Sequence, residues 1–530
     1  LIASGPGLAA EDASSFRDPF PVYPGIEGHV DFWVRVFSEW DLDQIAVHDM
    51  DFPAIVYEVV PLAGPREFPY TEEQQEFVED LREKWEKRLE TLERRIAKGR
   101  RLSAKDKALA LLITGKGGTD AIENAHERVR TQRGLRERFG RGIEISGRYM
   151  DLFREIFRNE GLPEDLAFLP HVESSFQADA RSSAGAVGIW QFTRGTGRQY
   201  LMISSSYDER RDPVMATRGA ARYFRDAYDL LGDWALTITS YNHGLHGMRR
   251  AKEKYGIDFE RIQREYKSRS FGFASKNFYA EFLAARRIAL EPSVYFPEGL
   301  SAEPPLRLDH VVLKRRRSPG RIAGEYGVAL DELAGLNTGW SQRAVSRGYP
   351  LPVGTTVWLP EGSVARAGRA RTEGVHVVQS SDTLSTIAQR YGLTVAELRA
   401  LNDMADDESL IRVGQGLKVG AAVPVVETIH VVRRGESLST IAGRFGTTVG
   451  ELRRLNGIAP GDDVIHVGQR LRVETSGEAE TVVHVVERGD SLIRIATDYG
   501  VRLSSLLGAN GLTTQSIIYP GQKILIPLAD

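Results

Sequence analysis

The 530-residue chain has no cysteine. That absence removes disulfides, thiolate metal sites and cysteine nucleophiles together, and it suits an oxidising compartment, where a chain without thiols cannot mispair. An N-terminal cysteine that could carry a lipid anchor is missing as well. No apolar run reaches the roughly 18 residues of a membrane-spanning helix, so no transmembrane segment is expected. Charge of one sign is also lacking: 69 Lys and Arg stand against 72 Asp and Glu, a net −3. A nucleic acid is therefore not the expected partner. His376, His430 and His484 recur along the chain, but each lies in a separate stretch with no second ligand close in sequence, so no metal is expected. No motif calls for a cofactor, and none identifies a protein partner.

The length suggests about three to five domains. Residues 1–28, rich in Pro and Gly, read as an extended lead. Within it Leu1–Ala10 is small and apolar, as at the end of a signal peptide or in an ordinary flexible lead. Residues 29–148 read as helical, with no role assignable from sequence. Thr71–Lys98 predicts a long helix whose narrow stripe is Phe77, Leu81, Trp85, Leu89 and Leu92. Gly115-Lys-Gly-Gly118 lacks the spacing and the Gly-Lys-Ser/Thr end of a phosphate loop and reads as a helix terminus.

Residues 149–300 are helical again and hold the best candidate for chemistry. Glu173 sits within Leu166-Ala-Phe-Leu-Pro-His-Val-Glu-Ser-Ser-Phe176, a carboxylate pressed between apolar residues. Such a site raises a carboxyl pKa and keeps a proton available for donation. Gly188-Ile-Trp-Gln191 and Ser240-Tyr-Asn242 follow, bringing aromatic and amide groups of the kind that stack on and hydrogen-bond to sugars. Asp179, Asp208, Asp212 and Asp233 read as caps and solvated turns.

The C-terminal part repeats. His376, His430 and His484 are spaced by 54 residues, as are Asn402, Asn456 and Asn510, and each unit closes on Gly-Gln (Gly414, Gly468, Gly521). A fixed period means one structural unit used several times. Within a unit the pattern is strand, helix, helix, strand, with a capping box at Thr394–Glu397. A weaker copy lies upstream around His310, Asn337 and Gly354.

These repeats resemble LysM modules, which implies a βααβ fold binding N-acetylglucosamine-containing glycans. The resemblance points to Gly435, Glu436, Ser437 and Leu438 as glycan-binding, while the repeated Ile, Leu and Asn positions read as core and turn residues. Residues 149–300 resemble the lysozyme-like family 1 lytic transglycosylases, some of which join such a domain to C-terminal LysM modules. The matching residues are Glu173-Ser174, Gly188–Gln191, Gly232-Asp-Trp234, Tyr241-Asn242 and Tyr279. The resemblance implies Glu173 as catalytic acid/base, Ser174 as a substrate-site residue that helps orient it or hydrogen-bonds near it, and Gln191, Tyr241, Asn242 and Tyr279 as lining the sugar cleft, with Tyr279 hydrogen-bonding near Glu173. Two positions depart from the family: Ser240 replaces an Ala, and Ser275 stands where many relatives carry Glu.

The expected fold class is thus multidomain: a mainly α lysozyme-like catalytic domain plus several small α+β (βααβ) LysM modules. The expected boundaries are 1–28, 29–148, 149–300, 305–361 (degenerate module), 374–420, 428–474 and 482–528. The expected function is a peptidoglycan lytic transglycosylase in the periplasm or cell envelope. It would cleave the MurNAc–GlcNAc β-1,4 bond without water, leave 1,6-anhydroMurNAc ends, and be tethered to the wall by its LysM modules. The alternatives are a water-using muramidase and a non-catalytic wall-binding scaffold.

Overall fold

Residues 18–527 are described by a computed structural model, apart from 67–68, 373, 381, 392, 406–407, 420–424, 433–436, 439–440, 442–448, 457, 459–464, 477–480, 500 and 515. The start of the lead, Leu1–Ala10, lies outside the described residues, as do Gly435 and Glu436. The chain forms two compact units. One is built from residues up to 201 and from 210 to 306, the other from 202–209 and the residues from 307 onward.

The first unit opens with α1 (Glu27–Ser38), whose inner face is Val30, Trp33, Val36 and Phe37. Strands follow where helix was expected. β1 (Gln44–Asp49), β2 (Val56–Pro61) and β3 (Val129–Arg133) form an antiparallel sheet in the order β2-β1-β3. The runs Ile45-Ala-Val47 and Val56-Tyr-Glu-Val-Val60 are short and β-branched, which suits a pleated, half-buried surface. Between them and β3 lie α2 (Glu72–Ala97) and α3 (Ala104–Gly117). Thr71 and Gln74 close a capping box at the start of α2. Leu81, Trp85, Leu89 and Leu92 pack with Ile45, Val47 and Ile113. Phe77, expected in the same stripe, is 42% exposed. Gly118, at φ 80°, follows the end of α3, as a terminator should.

The helices then run on as α4 (Arg136–Ser146), α5 (Met150–Asn159), α6 (Pro170–Glu173), α7 (Arg194–Tyr200), α8 (Pro213–Leu231), α9 (Trp234–His243), α10 (Leu245–Tyr255), α11 (Phe259–Glu265) and α12 (Phe273–Leu290). Asp212 and Asp233 cap α8 and α9 through backbone N–H groups, matching their reading as caps. α12 is the spine of the unit, packed against α1, α6 and α9. The described part of the lead belongs to this core: Phe20 meets Trp234 and Phe282 edge-on at 5.7 and 5.0 Å. The segment 29–148 divides: α1 packs on α12 and α4 on α6, joining the helices that carry Glu173, whereas the sheet with α2 and α3 has a hydrophobic cluster of its own.

The second unit contains four repeats that each open and close on a strand, with helices between them among the described residues. The paired strands are β4 (Leu308–Val312) with β5 (Thr356–Pro360), β6 (Val375–Val377) with β7 (Gly416–Lys418), β8 (Val425–Val431) with β9 (Arg470–Ser476), and β10 (Thr481–Val485) with β11 (Lys523–Pro527), all antiparallel. A sheet of two strands is too small to stand alone, and one side chain per repeat ties it to a helix. In each repeat an Asn at the end of a helix donates from Nδ2 to that helix and to the closing strand, and accepts from that strand's N–H. Asn337, Asn402, Asn456 and Asn510 make the same three bonds at 2.6–2.8 Å. Two of the recurring histidines are explained within their own repeats. His376 bonds Asp382 at 2.7 Å and the Tyr391 hydroxyl at 3.0 Å, and His484 repeats this with Asp490 and Tyr499. The first and last repeats share one core, with Tyr349 lying 4.2 Å from the Tyr499 ring and Arg347 paired to Glu487 at 2.6 Å.

Candidate active site

Glu173 ends the four-residue helix α6, which Pro170 opens. The chain then turns through Ser175 and Phe176, both left-handed at φ 52° and 59°. Residues with side chains adopt that conformation only where their surroundings hold it. Three contacts do so here. Ser174 Oγ donates to the Ile189 carbonyl at 2.8 Å. Phe176 is buried against the His171 ring at 4.5 Å and Phe153 at 6.0 Å. α4 passes so close that a Cβ on Gly142 would lie 3.0 Å from the Ser175 carbonyl oxygen.

Gly188–Gln191 forms the adjoining loop. Gly188 sits at φ 79° with its backbone against the Arg210 carbonyl, where a side chain would collide. Trp190 is fully buried and donates from Nε1 to Thr217 Oγ1 at 2.7 Å, so it anchors the loop and offers no face to a sugar. Its carbonyl accepts from the Tyr241 hydroxyl at 2.8 Å, and Tyr241 stacks on Phe224. Gln191, itself at φ 49°, is held by bonds from Nε2 to the Gly188 and Ala180 carbonyls. Gln191 and Tyr241 line a cavity of about 420 Å³ together with Thr193, Tyr200, Tyr223 and Arg250.

Glu173 is half-buried and makes no hydrogen bond or ion pair with any described residue. Burial pushes its carboxyl up to about 8, and the neighbouring Glu281 carboxylate adds to that rise. Glu281, on α12, is also half-buried and is itself pushed up to about 8 by burial, with Arg130 acting in the opposite direction. Tyr241 is held well above its ordinary value, first by burial and then by Glu173, so its hydroxyl keeps its proton. His171 is lowered to about 3 by burial and stays neutral. At neutral pH the site thus presents a protonated acid, the state needed to donate to a leaving oxygen.

Of the residues expected at the sugar cleft, Gln191 and Tyr241 line the cavity. Asn242 is exposed at the end of α9, and its Oδ1 accepts from Ser275 Oγ at 2.7 Å. Two expectations are corrected. Ser174 is 1% exposed and ties the Glu173 turn to the Ile189 carbonyl, so it serves the backbone and touches no ligand space. Tyr279 makes no hydrogen bond to Glu173. Its hydroxyl donates to the Pro21 carbonyl at 2.9 Å, and its ring packs on Phe259 and Tyr23. The reason is helical register: Tyr279 and Glu281 are two residues apart, on opposite sides of α12. In the repeats, Leu438 is 2% exposed and belongs to its module's core, which argues against glycan contact, whereas Ser437 is exposed. Sequence reasoning missed Glu281, although it lies in Phe278-Tyr-Ala-Glu-Phe-Leu-Ala-Ala285 and meets the criterion that singled out Glu173. Among the described residues no group of three His, Asp or Glu side chains gathers where a metal could bind.

Comparison with known proteins places this site in a class. Residues 152–261 match the model of the transglycosylase SLT domain, and residues 376–420, 430–474 and 484–527 match the LysM domain. The chain is a lytic transglycosylase with peptidoglycan-binding LysM modules. Among individual proteins it is 28% identical over 334 residues to membrane-bound lytic murein transglycosylase D of Escherichia coli (strain K12), covering 58% of this chain and 73% of that one. It is also 33% identical over 191 residues to N-acetylmuramoyl-L-alanine amidase sle1 of Staphylococcus epidermidis, covering 33% of this chain and 56% of the relative. Among solved structures, an inactive mutant of the lytic transglycosylase Slt from Pseudomonas aeruginosa matches at 19% identity. That match covers 38% of this chain and 30% of the other, with a TM-score of 0.24.

Proposed function

We propose that this lytic transglycosylase cuts the MurNAc–GlcNAc β-1,4 bond of peptidoglycan with Glu173 as both acid and base. Protonated Glu173 gives its proton to the departing GlcNAc oxygen. The MurNAc N-acetyl oxygen stabilises the developing cation at C1, a substrate-assisted exception to the two-carboxylate rule. Glu173, now ionised, removes the proton from the MurNAc C6 hydroxyl, and that oxygen closes on C1. The product is a 1,6-anhydroMurNAc end, and no water is consumed. The observation that carries this reading is the carboxyl of Glu173 itself, unpaired, half-buried and pushed up to about 8. One group can serve in both directions only if its proton affinity lies near the working pH. Gln191, Tyr241 and Asn242 bind the sugars beside it.

The LysM modules supply avidity. Several weak glycan sites on short linkers raise the local concentration of cleavable bonds without tight individual binding. The enzyme works against the wall, in the periplasm or cell envelope. The water-using muramidase draws support from Glu281, a second carboxyl close to the first, since hydrolysis uses two. Mass spectrometry of fragments released from purified sacculi separates the two readings: anhydro ends support transglycosylation, and reducing ends overturn it. A Glu173→Gln variant should bind sacculi as the wild type does and release nothing. Equal release by the two proteins would remove Glu173 from the mechanism.

A further inference from the structure

The sheet-bearing part of segment 29–148 meets the helical body around a second cavity. Its volume is about 520 Å³, and it shares no lining residue with the cavity of Gln191 and Tyr241. That size falls within the roughly 300–1,000 Å³ of small-ligand sites, which favour seams between packed parts. The β1–β2 loop and the end of α3 form one side of this seam. The start of α1, α11 and the start of α12 form the other. The seam is tightly packed at its edges: a Cβ on Gly28 would lie 3.0 Å from the Ala54 Cβ, and one on Gly117 2.5 Å from the Ala121 Cβ.

The buried amides of the lining are already used. Asn277 Oδ1 accepts from Trp33 Nε1 at 3.3 Å and lies 2.9 Å from His29 Nδ1, while its Nδ2 donates to the Phe273 carbonyl at 2.9 Å. Gln263 Nε2 donates to the Lys276 carbonyl at 3.2 Å. The groups left for a ligand are charged. Lys116, exposed in the last turn of α3, donates to the Ala54 carbonyl at 3.0 Å and has no ion-pair partner among the described residues. Lys276 stands 3.7 Å from Asp51, beyond hydrogen-bond length, and both are partly exposed. Glu260 accepts from the Gly25 N–H and pairs with no cation among the described residues. Arg264 is occupied by Glu265 at 3.1 Å. Met50 and Phe52, each 36% exposed, add apolar surface to the same lining.

Neutral sugar rings offer nothing to unpaired charges of both signs. The charged part of peptidoglycan is its peptide stem, which carries free carboxylates and the amine of a diamino acid. We propose that this cavity is a binding site for the peptide stem: Lys116 and Lys276 take stem carboxylates, Glu260 takes the diamino-acid ammonium, and Met50 and Phe52 lie against its aliphatic chain. Hydrogen bonds between ionised partners are roughly twice as strong as neutral ones. The sheet-bearing part of segment 29–148 thereby gains a role, selecting wall strands by their stems at a place apart from the catalytic cavity. The inference rests on peptidoglycan being the substrate, and not on the fate of the cleaved sugar.

The experiment is isothermal titration calorimetry of the full chain with a synthetic, sugar-free stem tetrapeptide, acetylated at its first residue and carrying a free amine on its diamino acid. One site should saturate, and its affinity should fall as salt rises. Lys116→Glu, an exposed substitution, should weaken binding about tenfold or more at an unchanged Tm. Glu260→Gln, whose amide oxygen can still accept from Gly25, should weaken binding of the free-amine peptide about threefold or more. It should leave binding of a peptide acetylated on that amine unchanged. If Glu260→Gln folds poorly, the wild type decides the same point, since acetylating the amine should weaken binding to it by a similar factor. No saturation at millimolar peptide overturns the proposal. So does equal affinity of wild type and Lys116→Glu, or equal affinity of the wild type for a scrambled all-L peptide of the same charge. Such a failure leaves anhydro product ends, and the transglycosylase reading, in place. Reducing ends would overturn that reading without changing the affinity for the stem.

Discussion

Replacing Glu173 by glutamine should abolish cleavage and make the protein more stable, with a gain that grows with pH. The folded carboxyl holds its proton up to about 8, against a value of 4.5 when unperturbed. A group with raised proton affinity in the folded state contributes fully below about 4.5, and the contribution is lost as pH rises towards 8. Glutamine has no such loss. Between pH 4.5 and 7 the difference reaches about 3 kcal/mol, from the ~1.4 kcal/mol that each pH unit contributes. Glu173 is only half-buried, and solvent screening reduces this to about 2 kcal/mol. For a unit of this size that is a rise of roughly 4 °C or more in Tm. Glu281 titrates in the same range in both proteins and cancels to first order. Differential scanning fluorimetry of wild type and variant at pH 5 and pH 7 makes the comparison. A large gain at pH 7 and almost none at pH 5 is the expected outcome. An equal gain at both would mean that Glu173 is an ordinary carboxylate in the folded protein, and the acid–base argument would lose its footing.

Gly188→Ala should disrupt the first unit by about 3 kcal/mol or more, because the left-handed backbone is strained with a side chain and the new methyl meets the Arg210 carbonyl; soluble yield and the urea midpoint report it. His171→Leu should stabilise by about 1 kcal/mol, since both ring nitrogens are buried without a hydrogen-bond partner; a lower midpoint would mean that they do have one. Asn402→Ala should cost the second repeat about 1–2 kcal/mol by freeing the closing strand, seen as faster hydrogen exchange at Gly416–Lys418 with little change at Lys523–Pro527.

The parts of this molecule written as local pattern could be read from the chain. The repeats announced themselves by a 54-residue period, and Glu173, Gln191 and Tyr241 by separated motifs in order. The helices ending at Gly118 and Gly232 stop where their glycines indicate. What escaped depends on faces and on distance along the chain. The sheet of β1, β2 and β3 was hidden because its third strand lies 68 residues beyond the end of its second, and short β-branched runs resemble buried helix segments. Tyr279 was placed by motif position, and helical geometry turned it away from Glu173. Glu281 was legible by the criterion already applied to Glu173, but it belonged to no motif and so drew no attention.

The joined core of the first and last repeats has a consequence for how this protein can vary. In an open array of repeats each copy touches only its neighbours, so copies can be added to or dropped from an end with modest effect. Here the final copy covers Tyr349 of the one that begins the series. Losing it would uncover an aromatic surface on the repeat that begins the series, so a truncation meant to weaken wall attachment would also unsettle the repeat that follows the enzyme.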